Sequence, residues 1–587
     1  MKPTTASGIT RRHDLDALRA FAMFLGVALH AALPFVTDGW MVRDPQKYEP
    51  LGQFTTWIHG FRMPLFILVS GYFTMMMWRR RGLALLLKQR FLRVFLPLLI
   101  CLVTVLPLQE WVVTWARAQA AIQDAERFAR PENRAELVEA VRGNDLVQLQ
   151  RLLEAGIDPN QADPQFGSPA LQWAARMGNE PAARVLLDHG ANVNAEDRSG
   201  NRPLHSTAFF ARPIVMALLL EQGAEVQAKR YSGEIPWDLT ATPWGETQAR
   251  AGELRVPLEM QEPEFERART QCRQLLSRQG GEAEPKPVSS GEPEGLLARS
   301  RAGYRSFLTS EAFLVSGRYR WPRANLEAPL HLMMGGYFDH LWFLWFLCWL
   351  VGLFAICALL ATWVRLPAVP GWLVLSPVRW LWLIPLTMVP QLFMGILGSG
   401  FGPDTSTGLL PQPHVLLYYA IFFGFGALYY DANDTECRLG RGYWLLLPLA
   451  TLVLLPLGVA TMVRQPVWSG LIQVTFTWAL CFGLIGLLNR FLKQENATVR
   501  YLSDSAYWLY LAHHPLVAVL QTWMRPWELP AVLKWLILCT LLMILLLFSY
   551  HTFVRTTWLG WLLNGPRVRV QTAATRTPTA GVETPPA

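Results

Sequence analysis

Ten apolar stretches punctuate this chain of 587 residues, at 15–36, 52–78, 91–115, 340–363, 378–398, 413–430, 443–463, 468–489, 504–524 and 531–555. A bilayer core about 30 Å thick is crossed by roughly 20 apolar residues of helix. Inside it every backbone amide must be paired within the segment, so each stretch is expected to be helical. The composition agrees. At 52% hydrophobic and 17% charged residues, with 25 tryptophans, the chain is too apolar for an ordinary soluble domain. The expected fold is all-α: a polytopic membrane bundle of about ten transmembrane helices.

A net charge of +9 and a pI near 9.3 could suggest nucleic acid, but no nucleic-acid motif accompanies the charge, so no nucleic-acid partner is expected. Much of the basic excess sits in short segments beside the apolar spans, where it sets orientation. Residues 79–93 hold Arg79, Arg80, Arg81, Lys88, Arg90 and Arg93 and no acid, whereas 399–412 has no Lys or Arg. With ten spans this places both termini in the cytoplasm of a bacterial inner membrane. The N-terminus lacks a convincing small-residue cleavage site, so the first span is read as uncleaved. The seven cysteines show neither metal-ligand spacing nor a disulfide framework. No bound metal and no permanent cofactor are expected.

Between spans three and four lies a polar insertion, 116–339, which three preceding spans would put outside the cytoplasm. It repeats with a period of 33 in the segments 134–166, 167–199 and 200–232. Leu152-Leu-Glu-Ala-Gly, Leu186-Leu-Asp-His-Gly and Leu219-Leu-Glu-Gln-Gly keep register, as do Gly167-Ser-Pro-Ala-Leu171 and Gly200-Asn-Arg-Pro-Leu204, and a degenerate fourth unit begins at Gly233. The units resemble ankyrin repeats, helix pairs that bury their apolar sides only by stacking. The resulting solenoid is expected to bind a protein partner or guide a substrate. Domain boundaries follow: 1–115 first part of the membrane domain, 116–133 connector, 134–247 repeats, 248–339 linker, partly disordered, 340–565 second part of the membrane domain, and 566–587 disordered tail.

Four constellations could carry chemistry. Arg19 and His30 are eleven residues apart on one face of the first span, about 16 Å along its axis. Ionisable groups at such depth mark function by default, although a single polar residue satisfied by a neighbouring helix has the same spacing. On span two, His59 and Arg62 lie one turn apart, and Ser70-Gly71 lies deeper, where close helix packing is the stronger reading. Arg90 and Arg93, at i and i+3, put two guanidinium groups on one face, suited to phosphate oxygens or to plain positive-inside anchoring. On span nine, His513 falls at a depth comparable to His30, so the two could line one cavity, or Pro515 could simply kink the helix.

Taken together these motifs resemble acyltransferase family 3 of integral membrane proteins. The matching elements are Asp16-x-Leu18-Arg19-x-x-Ala22 with His30, Met63-Pro-Leu-Phe66 with Ser70-Gly71, and Arg90-x-x-Arg93 before Pro97. His340-Leu-Trp-Phe-Leu344 and Tyr507-x-x-Tyr510-Leu-x-His513-x-Pro515 complete the set. Leu106-Pro-Leu-Gln109 and the His340 run look closest to the branch that succinylates periplasmic glucans. The resemblance implies O-acyl transfer, of acetyl or succinyl, from cytoplasmic acyl-CoA to a hydroxyl of an extracytoplasmic glycan or envelope polysaccharide. It implies His30 and Arg19 as catalytic residues and Arg90 and Arg93 as acyl-donor contacts. Ser70, His340, Tyr510 and His513 are the candidate cavity-lining residues. The ankyrin-like insertion and the doubled His513-His514 depart from the family pattern. A transporter is the first rival and would need paired, interrupted half-helices in two repeated halves, which the sequence does not show. An ankyrin receptor on a membrane anchor is the second, but it leaves the intramembrane histidines without a purpose.

Overall fold

The computed structural model describes residues 12–37, 40–129, 136–163, 166–231, 233–258, 260–280, 296–321, 326–365, 367–396, 400–462, 466–494 and 496–565. It divides into two compact units, residues 1–117 with 300–587, and residues 118–299. The expected tail at 566–587 and most of the Gly- and Pro-rich stretch at 279–298 lie outside the described residues.

In the first unit a helix occupies each of the ten apolar stretches. We label those that build the site α1 (His13–Ala32), α2 (Glu49–His59), α3 (Arg62–Arg90), α4 (Leu96–Val103), α5 (Val105–Ala129), α6 (Trp342–Val364), α7 (Arg379–Gln391), α8 (Pro413–Asp431), α9 (Pro466–Leu492), α10 (Ala497–Met524) and α11 (Ala531–Ser549). Among the described residues five helices are individually long and apolar enough to cross a membrane, or six if a pair bent by 41° near Thr104 counts as one. Of the others, some are interrupted or short, whereas α8 and α10 are long enough but less apolar. Helix α7, with 13 residues and two internal prolines, is only about 20 Å long. Large apolar side chains such as Leu381, Leu452 and Trp363 point outward, as they do in a protein whose solvent is lipid, and the chain is an integral membrane protein.

Small residues set the closest helix crossing. Where α3 meets α8, a Cβ on Gly71 would overlap the Phe423 carbonyl, and one on Gly426 would overlap the Leu68 carbonyl. The Ser70-Gly71 pair therefore has the packing role that its composition suggested. Aromatic stacking fills the neighbouring core, with Trp478 lying on Phe422 at 4.0 Å between centroids and 13° between planes. Gly82, at φ +78°, breaks α3 between its apolar part and its basic end.

The second unit is the solenoid. Helices Ala170–Met177 and Glu180–Asp188 recur as Pro203–Phe209 and Pro213–Glu221, an offset of 33 residues. Asp163 and Asp197 hold equivalent turns. Asp163 accepts from the Phe166 and Ser168 amides and from Trp173 Nε1, and Asp197 from the Ser199 and Asn201 amides. Asp197 also pairs with buried Arg176 at 3.1 Å, whose guanidinium burial pulls down to about 10. Asp197→Ala would leave that cation buried and unpaired, at a cost of about 3–5 kcal/mol. In the intact protein, limited proteolysis is expected to cut within 137–278 in this variant while sparing the membrane unit.

Two expectations are corrected. The segment 248–339 is not linker throughout its described parts. Pro236–Leu239 opens a fourth unit against Pro203–Phe209, and after Trp244–Leu254 the helix Glu262–Arg278 packs as a cap on Pro213–Glu221 of the third repeat, burying Phe265, Cys272 and Leu276. Further on, Leu296–Leu308 docks on the membrane unit through the Tyr304 hydroxyl, 3.0 Å from His414 Nδ1. Nor is the fold purely helical, because β1 (Leu314–Trp321) and β2 (Leu326–His331) form an antiparallel hairpin. Its Tyr, Val and Leu content favours a strand in a segment too polar to be recognised by membrane hydropathy.

Candidate active site

Helices α1 and α10 run side by side in the same direction, which brings two distant polar pairs into register. Near the start of α1, Arg19 Nη2 donates to Ser503 Oγ at 3.0 Å. About 16 Å further along, His30 meets His513. Their rings stack at 4.9 Å and 6°, with His30 Nδ1 2.7 Å from His513 Nε2.

The surrounding bonds fix the protons. His513 Nδ1 lies 3.1 Å from the Leu509 carbonyl and 2.9 Å from the Tyr510 carbonyl. Carbonyl oxygens only accept, so this nitrogen carries the hydrogen, and Nε2 of the neutral ring is an acceptor. His30 Nδ1 must then be the donor between the two rings. That leaves His30 Nε2 with its lone pair, making no hydrogen bond among the described residues. An imidazole held by one nitrogen and bare at the other is the arrangement of a general base.

Other side chains complete the surroundings. Trp40 stacks on His30 at 5.6 Å and donates to Gln521 Oε1 at 2.9 Å, while Gln521 Nε2 donates to the His30 carbonyl at 3.2 Å. His514 meets His30 edge-on at 5.1 Å and stacks on His340 at 4.5 Å. Both members of the doubled histidine thus face inward, and His513 is the one that bonds His30.

A cavity of about 560 Å³ is lined in part by the basic end of α3, and His30 is not on its wall. Arg19, Ser70, Arg90, Arg93, Tyr507 and Tyr510 are among the residues on its wall. Arg90 Nη2 donates to Thr74 Oγ1 at 2.7 Å, whereas its Nε is buried without a partner among the described residues. The Tyr507 hydroxyl donates to the Arg93 carbonyl at 2.9 Å. Of the four residues expected to line a cavity, Ser70 and Tyr510 do. His340 and His513 are not on this wall, because His513 is committed to His30 and to backbone carbonyls, and His340 to its stack on His514. Tyr510 connects the two regions. It borders the cavity, donates its hydroxyl to the His340 carbonyl at 2.6 Å, and lies 6.4 Å from His513.

The oxygen of Asp339 and the ring nitrogens of His340 and His514 lie within 4.8 Å of one another. The two rings are almost parallel, at 15°, so their in-plane lone pairs run side by side instead of converging on one point as metal ligands do. His340 Nδ1 and His514 Nδ1 stand 3.9 and 3.8 Å from the Asp339 carboxylate, beyond hydrogen-bond reach, while Asp339 accepts from Gln109 Nε2.

Sequence reasoning missed Trp40, Gln521 and Tyr419 as parts of this region, and it noted Arg62 and His514 without giving them a role. Trp40 and Gln521 carry no periodic signal, since the first lies in a loop and the second is one polar residue late in a helix.

The family model described as an acyltransferase domain matches residues 12–133 and 298–553, on both sides of the insertion. This chain belongs to that acyltransferase family. A second model, of three ankyrin repeats, matches 137–230, within the solenoid. The protein is therefore a membrane acyltransferase with an inserted ankyrin array. Curated relatives include the glucans biosynthesis protein C of Salmonella paratyphi B and that of Salmonella heidelberg, each 38% identical over 89 residues, 15% of this chain. The chain spans only 23% of the length of these relatives. Among solved structures, the ankyrin repeat domain of Bcl-3 matches at 31% identity over 18% of this chain and 45% of that one, with a TM-score of 0.17.

Proposed function

We propose that this acyltransferase moves an acetyl or succinyl group from acyl-CoA to a hydroxyl of an envelope glycan. The observation that carries the reading is His30, whose Nε2 makes no hydrogen bond among the described residues and whose Nδ1 is held by His513, on the same helix as Arg19, which lines a cavity with Arg90 and Arg93. Coenzyme A carries several phosphate charges and a long, thin pantetheine arm. Arginines on the cavity wall suit the phosphates, and the arm would carry the thioester from them toward the imidazole. The basic segment 79–93 favours the cytoplasm for that end, with the glycan entering from the opposite face. The name of the Salmonella relatives supports a glucan as acceptor. On the same topology the insertion lies outside the cytoplasm, where its repeats dock a protein or guide the acceptor.

In the reaction His30 Nε2 takes the proton of the acceptor hydroxyl as its oxygen attacks the thioester carbon. The carbonyl π electrons move onto oxygen. When the carbonyl re-forms, the carbon–sulfur bond breaks, and the proton passes from His30 to the departing thiolate. Acyl ester and free coenzyme A are the products. Arg19 holds the donor near the inner end of α1 and keeps that end on α10 through Ser503.

Labelled acyl-CoA supplied to proteoliposomes with a soluble glucan tests the reading. Arg90→Gln or Arg93→Gln should each raise the KM for acyl-CoA about 10-fold or more, the worth of a lost charge-assisted hydrogen bond, and leave kcat within a few-fold. No label transferred by the wild type from any acyl-CoA would refute it.

A further inference from the structure

Among the described residues, Arg62 makes no ion pair. It begins α3, and its Nε is buried without a hydrogen-bond partner among the described residues. Its guanidinium fills the space that a side chain at position 26 would take, since a Cβ on Gly26 would overlap Nη1. Gly26 and His30 are four residues apart on α1, so they share a face about one turn apart. The guanidinium interacts electrostatically with His30, His59, His513, Tyr419 and Tyr510, none of them a carboxylate. The Tyr419 hydroxyl is likewise buried without a partner among the described residues.

An unpaired guanidinium inside a membrane protein is costly, and evolution had the option of an apolar residue here. An orphaned guanidinium packed against α1 one turn from a bare imidazole makes sense if negative charge forms beside it and then disappears. The acyl-transfer reading, on which this rests, supplies such a charge. When the acceptor oxygen bonds to the thioester carbon, the carbonyl oxygen becomes an oxyanion, and it loses that charge when the carbon–sulfur bond breaks. We propose that Arg62, with Tyr419, stabilises this oxyanion, while Gly26 is small so that the guanidinium can lie against α1 one turn from the base. The N-terminal end of α3 adds its helix dipole in the same sense. Donors placed in advance where charge develops act on the transition state and not on donor binding.

The test uses the full-length protein in proteoliposomes with acetyl-CoA and succinyl-CoA. Arg62→Met should lower kcat about 10²- to 10³-fold for both donors, the usual loss for an oxyanion donor, with the KM for either donor within threefold. Arg62→Lys should recover part of that loss, and Tyr419→Phe should lower kcat more mildly. Because Arg62→Met removes a charge that has no partner, its melting temperature should hold or rise. A purely structural arginine would show the reverse. Gly26→Ala should displace the guanidinium and lower kcat in the wild type, but have no further effect when combined with Arg62→Met. Wild-type kcat in Arg62→Met would overturn the assignment. So would a loss confined to succinyl-CoA, which would make Arg62 a receptor for the acyl group's own carboxylate. A wild type that transfers neither acyl group would instead overturn the acyl-transfer reading beneath it.

Discussion

Replacing His30 with Gln is expected to abolish measurable acyl transfer, lowering kcat by about 10²- to 10⁴-fold, the range spanned by a positioned general base. Gln is close in length and can keep a hydrogen bond to His513, so the packing of α1 on α10 should survive. What it cannot do is accept a proton from an alcohol. Affinity for acyl-CoA should be unchanged, because Arg19 lies about 16 Å away along α1 and Arg90 and Arg93 lie at and just beyond the end of α3. The measurement is transfer of labelled acyl group to glucan, with acyl-CoA binding by purified protein as the control. Normal transfer with normal protein levels would remove His30 from the chemistry. A loss of binding in parallel with transfer would point to a structural role.

Much of this arrangement was legible in the residues, for identifiable reasons. The ten apolar stretches announce ten helical regions because burial in lipid leaves no other way to pair the backbone. The 33-residue register announces the solenoid because each helix pair must repeat its apolar face to stack. His30 and His513 were expected at comparable depth, and that depth follows from counting residues inward from each helix start. Periodicity could not say which ring touches which, or in which tautomer, because those facts depend on how α1 and α10 lie against each other. Arg62 was visible as a residue and invisible as a problem. Only coordinates show that among the described residues no carboxylate pairs with it and that Gly26 makes room for it. The cap Glu262–Arg278 and the hairpin at 314–331 were read as linker because their neighbours are rich in Gly, Pro and charge. Their own apolar residues are too few to stand out beside membrane spans.

His513 offers the second large effect, and a sharper one, because it should alter catalysis without touching substrate. Its Nδ1 hydrogen is committed to the Leu509 and Tyr510 carbonyls, so its Nε2 can only accept, and that obliges His30 to present Nε2 as the bare nitrogen. His513→Phe keeps an aromatic ring of similar width to stack on His30 but removes the acceptor. His30 is then free to place its hydrogen on either nitrogen and to rotate away from the acceptor hydroxyl. Loss of the group that orients a catalytic imidazole costs up to about 10⁴-fold in kcat where the wrong tautomer takes over. A loss of at least 10²-fold is expected here, with the KM for acyl-CoA unchanged. His513→Gln should recover part of the rate, since its amide oxygen can accept from His30 Nδ1. A merely structural residue would predict the opposite pattern, with rate, KM and melting temperature falling together and no advantage of Gln over Phe. Equal activity of His513→Phe and the wild type would show that the short contact between the two rings has no part in setting the base.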